Sequence, residues 1–113
     1  MVNVIFVVEL NYDKAIRDKI PEIISQAGKK CNVKILSDDE FLEKLVEKLS
    51  EEVLEYKKSK SLEELADILE IIDRILKIKG IKKGKLEEIQ IMKKDERGGF
   101  EKNLFLIDTT ESK

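Results

Sequence analysis

The middle of the chain has apolar residues at helical spacing over two long stretches. Between residues 38 and 57 they recur every three or four positions, and Ser37 followed by Glu40 is a capping-box pattern just before them. Ser61 begins a second stretch with the same cap signal, and Gly80 ends it. Because only a short polar connection separates the stretches, we predict two long helices packed as antiparallel neighbours.

The rest of the chain predicts shorter elements. Pro21 suits the first turn of a short helix that ends near Gly28, with Ile20 held extended before the proline, and residues 85–96 form another helical pattern. Stretches rich in Val, Ile, Leu and Phe predict short strands at residues 1–10, 31–36 and 103–107. With no repeat or linker, residues 1–113 are expected to be one mainly α domain, a helical bundle with a small β element from the terminal segments.

Composition supports a globular protein with a heavily charged surface. Apolar residues make up 42% of the chain and charged residues 41%, and 22 Lys and Arg against 24 Asp and Glu leave a formal charge of −2. This balance exerts no overall attraction on nucleic acid or anionic membrane, so neither is an expected partner. The longest apolar run, residues 4–8, is far shorter than the roughly 20 residues of a membrane span. We therefore expect a cytoplasmic protein.

The chain lacks the residues on which many enzymes depend. It contains no His, and its single cysteine is Cys31. These facts exclude a Ser-His-Asp triad, a Cys-His pair, an imidazole zinc site and an internal disulfide. Any chemistry must use carboxylates, amines, guanidinium groups and water.

Two pairs of acidic residues stand out on the predicted long helices. Glu52 and Glu55 are three residues apart on the first, and Glu64 and Asp67 are three apart on the second, so each pair shares a helix face. Both pairs lie near the connecting loop, where an antiparallel hairpin would bring them to one level. Converging carboxylates repel one another unless a hard cation binds them, and oxygen ligands favour Mg²⁺ or Mn²⁺.

A purely structural interpretation of these acids is also open. Glu64 lies three residues after Ser61 and could simply complete the capping box of the second helix. Glu52 lies four residues after Lys48 and could pair with that lysine along the first helix. The spacing alone does not choose between this interpretation and a metal site.

The order of four short motifs resembles a known family. The RDKIP segment at residues 17–21, the Glu52-x-x-Glu55 pair, the Glu64-x-x-Asp67 pair and the ERGGF segment at residues 96–100 follow one another in this chain. Together they resemble the MazG-like all-α nucleoside triphosphate pyrophosphatases, in particular a small prokaryotic branch that is expected to remove non-canonical nucleotides. The resemblance covers about residues 12–106.

This resemblance implies a Mg²⁺-dependent hydrolase that cleaves a nucleoside triphosphate between the α and β phosphates, releasing a monophosphate and pyrophosphate. It implies Mg²⁺, with Mn²⁺ as a substitute, held by Glu52, Glu55, Glu64 and Asp67. Glu51, next to the first pair, is a candidate catalytic base, although its position on the helical wheel also suits a solvated face.

Basic residues near the two flanking motifs are candidates for binding the phosphates. Arg17 and Lys19 precede the helix that Pro21 begins, and Arg97 precedes two glycines whose N–H groups could approach a phosphate closely. The structural alternatives are an ion pair between Arg17 and Asp18, and glycines that merely end a helix.

Two other functions are compatible with the same residues. One is phosphoribosyl-ATP pyrophosphohydrolase, a relative with the same acidic signature and the same type of reaction, against which the RDKIP and ERGGF segments argue. The other is a non-catalytic helical interaction module of the same fold. By analogy with the family we expect a homo-oligomer, a dimer or a tetramer, because two long helices seldom enclose a site alone.

Overall fold

Four helices make up the ordered secondary structure of the computed structural model, which describes residues 12–111. They are α1 (Ile20–Gln26), α2 (Asp38–Ser59), α3 (Leu62–Ile78) and α4 (Lys83–Arg97). The sequence predicted every one of them to within a few residues, and the mainly α fold is confirmed.

Serine side chains cap the starts of the two long helices, and a left-handed residue ends the first of them. The Ser37 hydroxyl accepts a hydrogen bond from the Glu40 backbone N–H at 3.2 Å and donates one to the Glu40 carboxylate at 3.0 Å. Ser61 caps α3 by accepting from the Glu63 N–H at 3.2 Å. Between the helices, Lys60 takes a left-handed conformation with φ of 54°, which ends α2 and reverses the chain direction.

Helices α2 and α3 form an antiparallel hairpin, as the sequence predicted, and it is the one extensively packed helix pair among the described residues. An ion pair joins Asp38, at the start of α2, to Arg74, near the end of α3, over 3.8 Å. The core consists of buried residues with partly buried apolar neighbours: Ala15, Leu45 and Ile71, surrounded by Phe41, Leu49, Ile75 and Ile78.

The two shorter helices flank this hairpin in sequence. Pro21 lies in the first turn of α1 as predicted, but Ile20 is the first helical residue rather than an extended one. The Ile20 N–H donates to the Arg17 carbonyl at 3.1 Å, so a turn leads directly into the helix. Helix α4 has no buried residue.

The strands predicted at residues 31–36 and 103–107 are absent from the structure. Neither segment has a strand beside it among residues 12–111, Ile35 is 97% exposed, and Asn103 has a left-handed φ of 54°. A strand needs a hydrogen-bonded neighbour, and β-branched composition cannot supply one. The third predicted strand, at residues 1–10, lies outside the described residues.

The shape is elongated for a chain of this length. The Cα radius of gyration is 20.9 Å and the principal extents are 85 × 34 × 27 Å, whereas a compact domain of about 100 residues has a radius of gyration of about 13 Å. Between residues 12 and 111, no helix combines the length and apolar content needed to cross a membrane. Because α2 and α3 are the one extensively packed helix pair between residues 12 and 111, the hairpin is where side chains from different elements can form a site.

Candidate metal centre

Three carboxylates converge at the loop end of the hairpin. Glu52 extends from α2, Glu64 and Asp67 extend from α3, and one oxygen of each lies within 4.8 Å of the others. We call these residues the acid cluster. They converge because Glu64 and Asp67 are one helical turn apart on α3, while the short connection sets α2 at the matching level.

Glu52 is the buried member of the acid cluster. Only 9% of its side chain is exposed, and its Oε2 atom is buried with no hydrogen-bond partner in the part of the chain that the structure describes. The ammonium of Lys48 lies 3.7 Å from the other oxygen, too far for a strong hydrogen bond. Burial raises the pKa of Glu52, as do the Glu64 carboxylate, which can share a proton with it, and the negative charge of Asp67. A buried acceptor of this kind favours an added cation.

A basic segment before α1 forms ion pairs with acidic residues of both long helices near the acid cluster. The guanidinium of Arg17 donates to Asp67 Oδ1 at 2.6 Å, and the ammonium of Lys14 donates to Glu51 Oε1 at 2.8 Å. Between them, Ala15 is buried in the hairpin core at 6% exposure. We call residues 12–19 the strap, because Ala15 holds it on the hairpin while its cations pair with acids from both helices.

The acid cluster suits a hard divalent cation. Around Mg²⁺, with bonds of about 2.1 Å, neighbouring oxygens are about 3 Å apart and opposite oxygens about 4.2 Å apart, and three oxygens on one ion include at least two neighbouring pairs. Because the three oxygens lie within 4.8 Å of one another, the carboxylates would move closer together on binding the ion. The donors are all carboxylate oxygens, which favour Mg²⁺, Mn²⁺ or Ca²⁺ over zinc. The three residues thus suit a hard divalent cation, and the Mg²⁺ that the sequence implied is one of several that their chemistry allows.

The remaining predicted ligand lies apart from this cluster. Glu55 is exposed on α2, and its carboxylate is not among those that converge. Glu52 already faces α3, and a residue three positions further along is rotated by about 60° from it. The structure therefore brings together three of the four predicted ligands.

The candidate base, Glu51, is half-buried beside the cluster. Its hydrogen bond from Lys14 holds the pKa of Glu51 below its usual value, and Lys48, 3.7 Å away, acts in the same direction. A carboxylate held in this way is a weaker base and is well placed to orient its neighbours.

The three predicted phosphate-binding residues lie in different places. Arg17 contacts the acid cluster directly through Asp67, rather than pairing with Asp18. Lys19 is exposed at the N-cap of α1. Arg97 ends α4 and lines an open groove with Lys93, Lys94, Gly98 and Phe100, among others. Because α4 does not pack extensively on the hairpin, this groove is separate from the acid cluster in the single chain.

The structural interpretation of the acids holds only in part. Glu64 does not complete the cap of α3, because Ser61 accepts from the Glu63 N–H and Glu64 instead accepts from the Ser59 hydroxyl at 3.5 Å. The Lys48–Glu52 ion pair is present, but it leaves one oxygen of Glu52 without a partner. Capping and pairing along a helix therefore do not account for the cluster.

Sequence reasoning missed Lys14 as part of this region. Its ion pair with Glu51 joins residues 37 positions apart, and helical periodicity carries no information at that range. The available signal was the spacing in KAIR, which places a lysine and an arginine three residues apart with two apolar residues between them. In the structure the two cations pair with Glu51 and Asp67, and Ala15 between them packs into the core.

Comparisons with protein-family models, with curated proteins and with solved structures found no match to this chain.

Proposed function

We propose that the protein is a divalent-cation-dependent nucleoside triphosphate pyrophosphohydrolase that cleaves the α–β phosphoanhydride. The observation that carries this proposal is the unpartnered, buried Oε2 of Glu52 within a cluster of three carboxylates. A repulsive group of this kind is costly to keep ionised in a fold unless a cation occupies it. The motif order described above supplies the choice of reaction.

The residues of the hairpin would divide the work of this reaction. Glu52, Glu64 and Asp67 would hold Mg²⁺, with Mn²⁺ as a substitute, and Glu55 would join them only after a change of its side-chain position. When bound, the metal would neutralise charge on the phosphates and activate water for attack, so the absence of His is no obstacle. Glu51, held by Lys14, would orient the attacking water or a ligand carboxylate.

Basic side chains near the cluster would bind the phosphate groups. Arg17 is already within reach of the acid cluster, and its planar guanidinium suits two phosphate oxygens at once. Lys19 lies two residues further along the strap. Arg97 is on α4, so it would reach this substrate only if α4 of another copy, or a different position of its own α4, brought the groove to the cluster.

We also propose that the protein acts as a homo-oligomer, a dimer or a tetramer. The hairpin leaves large apolar side chains exposed on both helices, including Val46 and Val53 on α2 and Leu65 and Leu69 on α3. An exposed apolar surface of this kind marks a contact with another chain. A second copy is the occupant that would also turn an elongated chain into a compact assembly.

The two alternatives lead to different expectations. A phosphoribosyl-ATP pyrophosphohydrolase would use the same cluster on a different nucleotide. A non-catalytic interaction module would have no use for Glu52 as a buried anion. Replacing that residue would leave the affinity of the module for its partner unchanged. The unpartnered oxygen of Glu52 therefore favours a catalytic role over the module.

The test is pyrophosphate release from a panel of canonical and damaged nucleoside triphosphates that includes phosphoribosyl-ATP. We expect release that requires Mg²⁺ or Mn²⁺ and falls by about two orders of magnitude or more in Asp67→Asn and Glu64→Gln. Glu47→Gln is the matched control, because it makes the same chemical change at an exposed residue of α2 whose one ion pair within residues 12–111 is with Lys44. Glu55→Gln tests the fourth predicted ligand separately.

Metal-dependent release that both cluster variants retain would contradict the assigned ligands. Preferential release from phosphoribosyl-ATP would favour the first alternative. No release from any nucleotide, by a protein that binds neither metal, would favour the interaction module.

A further inference from the structure

The strap already places a positively charged side chain, that of Arg17, against the acid cluster. Arg17 Nη2 lies 2.6 Å from Asp67 Oδ1, and Asp67 is one of the three residues whose oxygens converge. The Arg17 guanidinium therefore neutralises part of the negative charge of the acid cluster that a divalent ion would otherwise neutralise. At the buried end of the cluster, Glu52 Oε2 has no such partner.

This arrangement makes the contact of Arg17 replaceable. The Arg17 side chain is 55% exposed and that of Asp67 is 34% exposed, and ion pairs of this exposure contribute little free energy. A doubly charged ion held by three carboxylates gains more from the same site than a singly charged guanidinium held by one. The strap need not unfold during this exchange, because Ala15 keeps its own contact with the core.

Resting on the function proposed above, we propose that Arg17 is an internal counter-ion that competes with the divalent cation for Asp67. When the cation binds, the guanidinium leaves Asp67 and becomes free to bind the phosphates of the incoming nucleotide. One side chain thus lowers the affinity of the empty site for metal and raises the affinity of the metal-loaded site for substrate. Metal and nucleotide consequently bind with positive coupling.

The test is calorimetric titration of the full chain with Mn²⁺, and then of the Mn²⁺-loaded protein with a triphosphate whose α–β bridging oxygen is replaced by methylene. In Arg17→Gln we expect Mn²⁺ alone to bind about threefold to tenfold more tightly, the effect of removing one weak ion pair. The same variant should bind the triphosphate analogue at least about tenfold more weakly, because its bidentate donor is lost.

Arg74→Gln is the matched control. It removes one positive charge from a different part of the hairpin, where Arg74 pairs at 3.8 Å with Asp38. The control reports how much any lost cation changes Mn²⁺ affinity through general electrostatics. The proposal requires an effect in Arg17→Gln that exceeds this control, and it requires opposite signs for metal and analogue.

The outcomes separate this proposal from the one on which it rests. Equal Mn²⁺ affinity in wild type and Arg17→Gln, with binding lost in Asp67→Asn, would overturn the competition and leave the metal site intact. Mn²⁺ binding by Arg17→Gln but not by wild type would support the competition in its strongest form. If no variant binds Mn²⁺, the metal site and the competition both fail.

Discussion

A single residue, Glu52, is the buried centre of the proposed metal site. A carboxylate with 9% of its side chain exposed is expensive to ionise in a hairpin core, and Lys48 at 3.7 Å offsets only part of that cost. Sequence reasoning could find Glu52 and Glu64, because each belongs to an acidic pair that shares a helix face, and an antiparallel hairpin brings both pairs to one level near the connecting loop. It could not exclude Glu55 or find the Arg17–Asp67 contact, since these depend on how the two helices and the strap meet.

Replacing Glu52 with glutamine should stabilise the metal-free protein and abolish its response to metal. The substitution keeps the shape, removes a buried charge and provides an amide that can donate to Glu64 or Asp67. We expect the free energy of unfolding to rise by roughly 1–2 kcal/mol. Urea unfolding with and without Mg²⁺ measures both effects, with Glu47→Gln as the exposed control. A loss of stability in Glu52→Gln would indicate that the ionised carboxylate is already well satisfied.

The raised pKa of Glu52 also predicts how stability depends on pH. The folded protein binds this proton more tightly than the unfolded chain, so the free energy of unfolding of the metal-free protein should increase as the pH falls from about 7 towards the ordinary value of 4.5. Glu51 acts in a lower window. Its pKa is lowered, so its stabilising contribution is present above 4.5 and is lost as the pH falls below it.

The measurement is a series of urea unfolding curves between pH 7 and pH 5 in a chelating buffer. The rise in the free energy of unfolding with falling pH that we expect for wild type should be smaller in Glu52→Gln, because the glutamine side chain has no titratable group. Equal slopes in the two proteins would show that Glu52 titrates alike in the folded and unfolded states.

At the scale of the elements, sequence signals worked where they were local. Ser37 and Ser61 cap their helices through backbone N–H groups two or three residues away, so the starts of α2 and α3 could be predicted closely. The predicted strands at residues 31–36 and 103–107 depended instead on a distant partner. Apolar, β-branched composition indicates that a segment can form a strand, and it contains no information on whether a neighbour is present.

The connection between α2 and α3 provides a test of local geometry. Lys60 ends α2 in a left-handed conformation, with φ of 54°, which is unfavourable for a residue with a Cβ atom. Lys60→Gly should remove this strain at some cost in unfolded-chain entropy, for a net gain of about 0.5 kcal/mol in the free energy of unfolding. Lys58→Gly makes the same change inside α2 and should destabilise the protein by about 1 kcal/mol. Chemical unfolding of both variants measures the difference, and similar losses in both would refute the left-handed cap.

At the scale of the whole molecule, the hairpin has two unlike sides. Helical-wheel positions put Val46 and Val53 of α2 on the same side as Leu65 and Leu69 of α3. The strap crosses the opposite side, where Lys14 and Arg17 pair with acids. Within residues 12–111, one side is therefore charged and covered by the strap, while the other is apolar and exposed.

A charge placed on the open side should separate the proposed oligomer. Leu69 is 64% exposed in the single chain, so Leu69→Glu changes little in the hairpin but would bury an unpaired carboxylate in an interface. We expect wild type to have the mass of a dimer or tetramer in light scattering, and Leu69→Glu to have the mass of one chain with unchanged helix content. Ala66→Glu, on an exposed outer position of α3, is the matched control and should remain assembled. A monomeric wild type would refute the assembly, and an oligomeric Leu69→Glu would move the interface away from this side of the hairpin.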